Sequence, residues 1–387
     1  MKTDNLNLLV LIREYPIGWA VTKKVQNMLS YLLLQNIEIN VISFRSHFQQ
    51  PSEKGVDNGI SYVTIGMGLD LKLLNLHRAI IYYIKGLCLI RNHKKKDSKN
   101  VFYCVGPINI ENLLFVLWAR LLHYKLVFDV NEDYSFFEDQ VKITSRFKIW
   151  TVRQLDFITY HWATAIVVVS THLQNKYLKK NKKPIALIPV TAKENFNSKK
   201  YAFNNPLQVV YAGSFDLKDG VEDIIVGFNS FNINYQNARL IMTGQSNQQV
   251  KYLEKYKSYP NIIFKGHISD DEFYNLLQNA DVMCMCRTNS AFANAGFPFK
   301  LGEYLATGNP VISTKASDVE NYLTSSDAYL IDFNSPQQIC GALTEITDNP
   351  ELARKIGLNG MKKYRRFFSP EVNGKLLYDL LIKIVYE

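Results

Sequence analysis

The chain lacks most of the features that would assign it quickly. Its five cysteines, Cys88, Cys104, Cys284, Cys286 and Cys340, are an odd, sparse set in 387 residues, which excludes a disulfide framework. Cys284-Met-Cys286 has no two-residue spacer of the kind a zinc knuckle or redox pair uses, and all five read as core residues. No apolar run reaches the roughly 20 residues of a spanning helix; Ala79–Ile90 is interrupted by Lys85. No signal-peptide pattern opens the sequence, so a cytoplasmic protein is expected, peripheral at most to the inner face of a membrane. Internal repeats and low-complexity tracts are absent, as are a GxGxxG dinucleotide fingerprint and a DxD pattern suited to a divalent ion. The basic residues are dispersed and form no recognised nucleic-acid module. Neither a metal, nor a cofactor, nor nucleic acid is expected.

What is present is a large, ordinary globular composition, 47% hydrophobic and 21% charged, long enough for two cores. The charge is uneven. Residues 1–206 hold 28 Lys+Arg against 15 Asp+Glu, net +13, whereas the remainder holds 17 against 20, net −3. An N-terminal half this basic suggests an anionic partner; charge alone does not choose among nucleic acid, a membrane surface and a phosphorylated acceptor, and the lack of a nucleic-acid module disfavours the first.

Short apolar runs at Leu8–Ile12, Ile39–Phe44, Val101–Val105, Leu126–Val130 and Ala165–Val169 read as buried parallel strands. Helical patterns separate them at Val25–Gln35, Glu111–His123 and Ser145–Trp162. The series restarts at Gln208–Ala212 and runs through Arg239–Thr243, Asn261–Phe264, Asp281–Cys286, Pro310–Thr314 and Ala328–Ile331. This alternation predicts an α/β chain of two Rossmann-like, doubly wound parallel sheets. Residues 1–190 would form the first domain, the polar stretch 191–206 a linker, and 207–370 the second domain. The apolar helix Glu371–Tyr386 either joins the second sheet or crosses back to the first. Two such sheets place ligands at strand C-termini facing a cleft between them.

The strongest local signal runs from Asn294 to Ile312. A Gly296-Phe-Pro298-Phe299 loop opens a short helix bearing Lys300 and Glu303, which closes at Gly308 before Pro310. A helix start of this kind favours a diphosphate. Lys300 adds a point charge, and Glu303, about one turn on, can accept both hydroxyls of a ribose. A capped helix with a solvated Lys–Glu pair is the equally weighted plain alternative.

Phe297-Pro-Phe-Lys-Leu-Gly-Glu303-Tyr-Leu-Ala-Thr-Gly-Asn-Pro-Val resembles the donor motif of family 4 retaining glycosyltransferases of the GT-B fold. So do, in order, Val210-Tyr-Ala-Gly213-Ser214, Asp219-Gly-Val-Glu-Asp-Ile, Leu240-Ile-Met-Thr-Gly244, Ile263-Phe-Lys-Gly266-His267-Ile and Asn279-Ala-Asp281-Val. The N-terminal half is similar more weakly, at Leu126–Asp133 and Ala165–Ser170. The resemblance implies a nucleotide-diphosphate sugar as donor and a saccharide or lipid-linked acceptor, in polysaccharide synthesis, with retention of anomeric configuration. It gives Glu303 the ribose-binding place in an E-x7-E pattern whose first glutamate is here Ala295. Sugar contact then falls to Asn294 or the backbone of Gly296, Phe297 and Pro298. Gly213 and Ser214 occupy the diphosphate turn, Gly244 the next strand end, and His267 a place near the base. The lysine usual before Gly220 is Asp219 here, with Lys218 one place away, so Lys218 and Lys300 are the candidates for phosphate neutralisation.

For the acceptor, the loop Arg13-Glu-Tyr15-Pro-Ile-Gly18-Trp19-Ala follows the first strand, as a ligand loop or a plain strand–helix turn. Asn131-Glu132-Asp133 follows another strand end. Glu132 could orient an acceptor hydroxyl, Asn131 stands where relatives often have histidine, and capping by Asn131 or Asp133 competes with both. His161 and His172 read as structural or exposed. The basic, apolar segment Leu69–Lys99 reads as a core-facing helix with a solvated face, or as a helix docking on anionic lipid. Two rival functions stand beside glycosyl transfer. One is a nucleotide-sugar 2-epimerase; the other is a catalytically silent sugar-nucleotide binder, prompted by Ala295, Asp219 and Asn131.

Overall fold

The computed structural model describes residues 6–45, 54–66, 76–136, 143–179, 182–194, 196, 203–216, 218–244 and 247–386. It divides into two units, residues 1–191 with 370–387, and residues 192–369.

The first unit is built on eight strands: β1 (Leu6–Glu14), β2 (Glu38–Arg45), β3 (Lys54–Asp57), β4 (Ile60–Thr64), β5 (Lys99–Val105), β6 (Lys125–Val130), β7 (Ala165–Val168) and β8 (Ile185–Leu187). Their order is β3-β4-β2-β1-β5-β6-β7-β8, parallel throughout except for the β3–β4 hairpin. That hairpin turns on Asn58-Gly59, both at positive φ, the pair best suited to a tight hairpin. Leu8, Leu9, Val10 and Leu11 are buried on both faces of β1, as a central parallel strand requires.

The helices are α1 (Ala20–Leu34), α2 (Leu76–His93), α3 (Ile110–Leu121), α4 (Ile143–Trp162) and α5 (Thr171–Leu178), with α14 (Pro370–Tyr386) at the chain end. Because parallel crossovers are right-handed, α1, leading from β1 leftward to β2, lies on one face. The helices α2 to α5, leading rightward, lie on the other. On the α1 face, α14 supplies Leu377, Leu380, Leu381 and Ile384 to the core built by Val25, Met28 and Leu29. Asn373 fixes its start by donating to the Val190 carbonyl at 2.6 Å.

The second unit has six parallel strands, β9 (Gln208–Ala212), β10 (Arg239–Thr243), β11 (Ile262–Gly266), β12 (Val282–Met285), β13 (Val311–Thr314) and β14 (Tyr329–Ile331), ordered β11-β10-β9-β12-β13-β14. Its helices are α6 (Val221–Asn232), α7 (Asn247–Tyr256), α8 (Asp270–Asn279), α9 (Ala291–Ala295), α10 (Lys300–Thr307), α11 (Val319–Tyr322), α12 (Pro336–Asp348) and α13 (Pro350–Phe367). Strand order reverses between β9 and β12, the place where open α/β sheets bind ligands.

Two expectations need correction. The stretch 191–206 is not a free linker. The Ala192 amide donates to Phe368, Arg365 forks onto Glu194, and Asn204 bonds Asp281, so its described parts from Ala192 on belong to the second unit, while Thr191 belongs to the first. Residues 195, 197–202 and 69–75 lie outside the described residues. Cys88 is exposed rather than core, because it falls on the outward side of α2.

Candidate functional site

The segment 294–312 delivers Lys300 to the β9–β12 reversal. Ser290 caps α9, the Gly296–Phe299 loop turns the chain, and α10 begins at Lys300 with no side chain capping it. Helix α10 ends at Gly308 in the left-handed region, before Pro310, which suits a glycine. Within α10, Leu301, Gly302, Tyr304 and Leu305 are buried while Glu303 is half-buried. Tyr304 anchors the helix to β9: its hydroxyl donates to the Ala212 carbonyl and accepts from the Ala212 amide.

The Lys300 side chain crosses the end of β9. Its ammonium donates to Asp219 at 2.7 Å and to the Tyr211 hydroxyl at 3.2 Å, and lies over the Tyr211 ring. Side-chain exposure is 15% for Lys300 and 2% for Asp219. Ser214 donates to the other oxygen of Asp219 at 2.6 Å. Asp219 also pairs backbone with Arg287 at the end of β12. The buried Arg287 guanidinium donates to the carbonyls of Ala293 and Phe297 and so braces the loop that opens α10. Burial holds the Lys300 ammonium below the ordinary lysine value. Asp219 opposes that, while Arg287 and Lys218 add to it. Burial alone would raise Asp219, but Lys300 and Arg287 outweigh it and hold the carboxyl below its usual range. Two cations, Lys300 and Arg287, therefore act on one buried carboxylate at the start of a helix, with Lys218 beside Lys300. That arrangement favours an added anion.

Glycine shapes this edge of the sheet. A Cβ on Gly213 would stand 2.0 Å from the Lys300 Cε, and one on Gly244, at φ +140, would stand 1.8 Å from the Gly213 carbonyl oxygen. The Gly213 amide donates to Thr243, and the Gly244 amide to Gly266. The ends of β9, β10 and β11 are thus tied side by side, with His267 exposed beyond them.

Other expected residues are placed differently. Ala295 is buried and brings no carboxylate. The Asn294 amide is engaged by Asn289 and by the Ser317 backbone. Phe297 is a core side chain against Tyr322 and Phe368, and Pro298 is also buried, so only their backbone can meet a ligand. Phe299 is half-buried. Lys218 stands 5.1 Å over the Phe292 ring and close enough to Lys300 to depress it.

In the first unit, Tyr15 is fully buried against Tyr62, which removes its side chain from acceptor binding. Gly18 is required by packing, since a Cβ there would collide with Thr22. Trp19, at the start of α1, is 45% exposed. The Asn131 amide is held inside: its oxygen accepts from Lys24 and its nitrogen donates to the Asp129 carbonyl. Glu132 is half-buried, and its charge, after burial itself, raises the Tyr134 hydroxyl. Sequence reasoning missed the Lys24–Asp129 pair, 2.9 Å apart and fully buried, with Tyr103 donating to Asp129 at 2.6 Å. The signal was a lysine on the apolar side of α1 and a lone acid within an apolar strand. His172, read as structural or exposed, bonds Asp133 at 3.1 Å, as does Lys176 at 2.9 Å.

Residues 193–363 match the family described as Glycosyl transferases group 1. The chain is 22% identical over 367 residues to an uncharacterized glycosyltransferase of Methanocaldococcus jannaschii, with 92% of each chain covered. It is similar in structure to a sucrose-phosphate synthase from Thermosynechococcus elongatus, with a TM-score of 0.74, 13% identity, and 98% of this chain and 99% of that one covered. It is likewise similar to Anabaena HepE, solved in complex with UDP and glucose, with a TM-score of 0.71, 12% identity, and coverage of 97% and 99%. The two parallel-sheet units share the GT-B fold with these proteins. None of these relatives is an epimerase by name, and they lend no support to the 2-epimerase alternative.

Proposed function

We propose that this chain, which carries a glycosyl transferases group 1 domain on a GT-B fold, moves a sugar from a nucleotide-diphosphate donor to a saccharide or lipid-linked saccharide in polysaccharide assembly. The carrying observation is the gathering of Lys300 and Arg287 around Asp219, with Lys218 beside Lys300, at the uncapped start of α10 and the β9–β12 reversal. In this reading the diphosphate rests on the first amides of α10 and on Lys300, with Lys218 as a second cation. Glu303, one turn on, takes the ribose hydroxyls. Gly213 and Gly244 let the backbone approach, and His267 lies toward the base. The UDP bound to HepE makes a uridine nucleotide the first donor to test.

Transfer breaks the bond between the anomeric carbon and the diphosphate and forms one to an acceptor oxygen. Fixed cations and helix amides stabilise the departing diphosphate without reorganisation, so the reading is metal-independent. Retention of configuration belongs to the proposal through the resemblance to family 4.

A second reading, a sugar-nucleotide binder without transfer, draws on two observations: the Asn131 amide is locked by Lys24, and Asp219 occupies Lys300. Thermal shift against UDP-, GDP-, ADP- and dTDP-sugars, followed by donor turnover, separates the two. Transfer predicts that one nucleotide class raises the melting temperature and is consumed, and that Lys300→Ala weakens its binding about tenfold or more. Binding without turnover in any acceptor mixture favours the silent reading; no shift with any donor refutes both.

A further inference from the structure

The second unit has a concave feature at the edge of its sheet opposite α10. This cavity, of about 810 Å³, is bounded by segment 203–207 ahead of β9, turn 234–238 ahead of β10, and the junction of α12 with α13. Gly213 and Gly244 follow the other, C-terminal ends of β9 and β10. Five residues of strand at about 3.3 Å each put roughly 17 Å of sheet between the two edges. The cavity is therefore not part of the nucleotide site.

Local sequence explains the hollow. Helix α6 stops at Asn232, and the chain turns back at once: the Tyr235 amide donates to Phe231 and the Ala238 amide to Tyr235. Leu207, Phe231 and Ala238 are buried and supply an apolar floor. The Tyr235 ring stacks on Phe231 at 4.6 Å, and its hydroxyl donates to Asp348 at 2.6 Å, which fixes the ring in place. Phe203 and Tyr235 are both half-buried against the core.

The polar lining is mostly carboxamide. Asn205, Asn234, Gln236 and Asn237 are exposed, come from two separate segments, and meet at this one hollow. Each carboxamide offers an acceptor and two donors. Charge in the lining is balanced, with Glu351 against Arg354, so an anion such as a nucleotide finds no surplus of cations. A purely apolar ligand would leave the amides without partners. A neutral saccharide meets both demands: its hydroxyls donate and accept as carboxamides do, and its C–H faces pack on aromatic rings. The volume falls within the range of small-ligand sites, roughly 300–1,000 Å³.

We propose that this cavity binds a neutral oligosaccharide, as a non-catalytic site that holds a glycan chain on the second unit. The proposal is independent of the nucleotide reading, since no residue of the cavity belongs to the α10 site.

The test uses the full chain and a defined set of neutral oligosaccharides: maltohexaose, cellohexaose, mannohexaose and chitohexaose, with polygalacturonate fragments as an anionic control. Calorimetric titration should show binding of at least one neutral member, and saturating UDP should not displace it. Asn234→Ala with Asn237→Ala should weaken that binding roughly tenfold or more. Its melting temperature should stay unchanged, because both side chains are exposed. The same variant should keep the wild-type melting shift with nucleotide, so that the two sites fail separately. Absence of binding to every neutral member overturns the proposal, as does tighter binding of polygalacturonate than of all of them. So does equal affinity in the double variant, which would put the sugar elsewhere on the chain, or displacement by UDP, which would make the site the nucleotide's.

Discussion

Lys24 and Asp129 show how much a single buried charge can govern. Burial pulls the Lys24 ammonium below its ordinary value, and Asp129 resists that pull; with Tyr103 and Asn131 the pair has its partners. Removing one member strands the other, so Lys24→Met should destabilise the protein by about 3–5 kcal/mol. Lys24→Met with Asp129→Leu should recover part of the loss. Denaturant midpoints of the single and double variants measure this. Asp133 makes a pH prediction. Burial raises it, but bonds from Ser135, Lys176 and His172 outweigh burial and hold it down to about 2. Its folded value lies below the unfolded one, so its contribution is complete above roughly pH 4 and is lost as pH falls toward 2. Asp133→Asn should flatten acid unfolding across that window and leave its steepness above pH 5 unchanged. The two strand-end glycines divide stability from binding. Gly244→Ala meets backbone at positive φ and should cost about 2 kcal/mol or more. Gly213→Ala meets only the Lys300 side chain, so its melting temperature should fall less while nucleotide affinity drops.

At the scale of elements, α14 is the test of how the first unit closes. Asn373 is fully buried and clips the helix to Val190 and Thr191. Asn373→Leu leaves that carbonyl without its donor, and denaturation should show a loss of about 1–3 kcal/mol. Continuous apolar runs located β1, β2, β5, β6, β7, β9, β10, β12 and β13, because a strand buried on both faces has no other way to be written; β11 and β14 were also located, although β11 is largely half-exposed. The β3–β4 hairpin was missed although Asn58-Gly59 signals it, since its strands are short and half-exposed. The site was legible where its chemistry is local: the loop, Lys300, Glu303 and Gly308 lie within one segment. It was illegible where distant residues meet. Lys300 finds Asp219 across 81 positions, and Arg287 reaches the loop only because β12 ends beside it. Tyr15 and Asn131 looked like strand-end ligands, but tertiary packing turned both inward.

For the whole molecule, the net charge is +13 over residues 1–206 and −3 over the rest. The proposed donor site needs no global excess, because Lys300 and Arg287 act locally on Asp219, with Lys218 beside Lys300. Nucleotide recognition by the second unit is the proposal, and it depends most on α10. Calorimetric titration of wild type and Glu303→Ala with the nucleotide that stabilises the protein tests it most directly. The account predicts at least roughly tenfold weaker binding with an unchanged melting temperature for the free protein; equal affinity in the two proteins would contradict it.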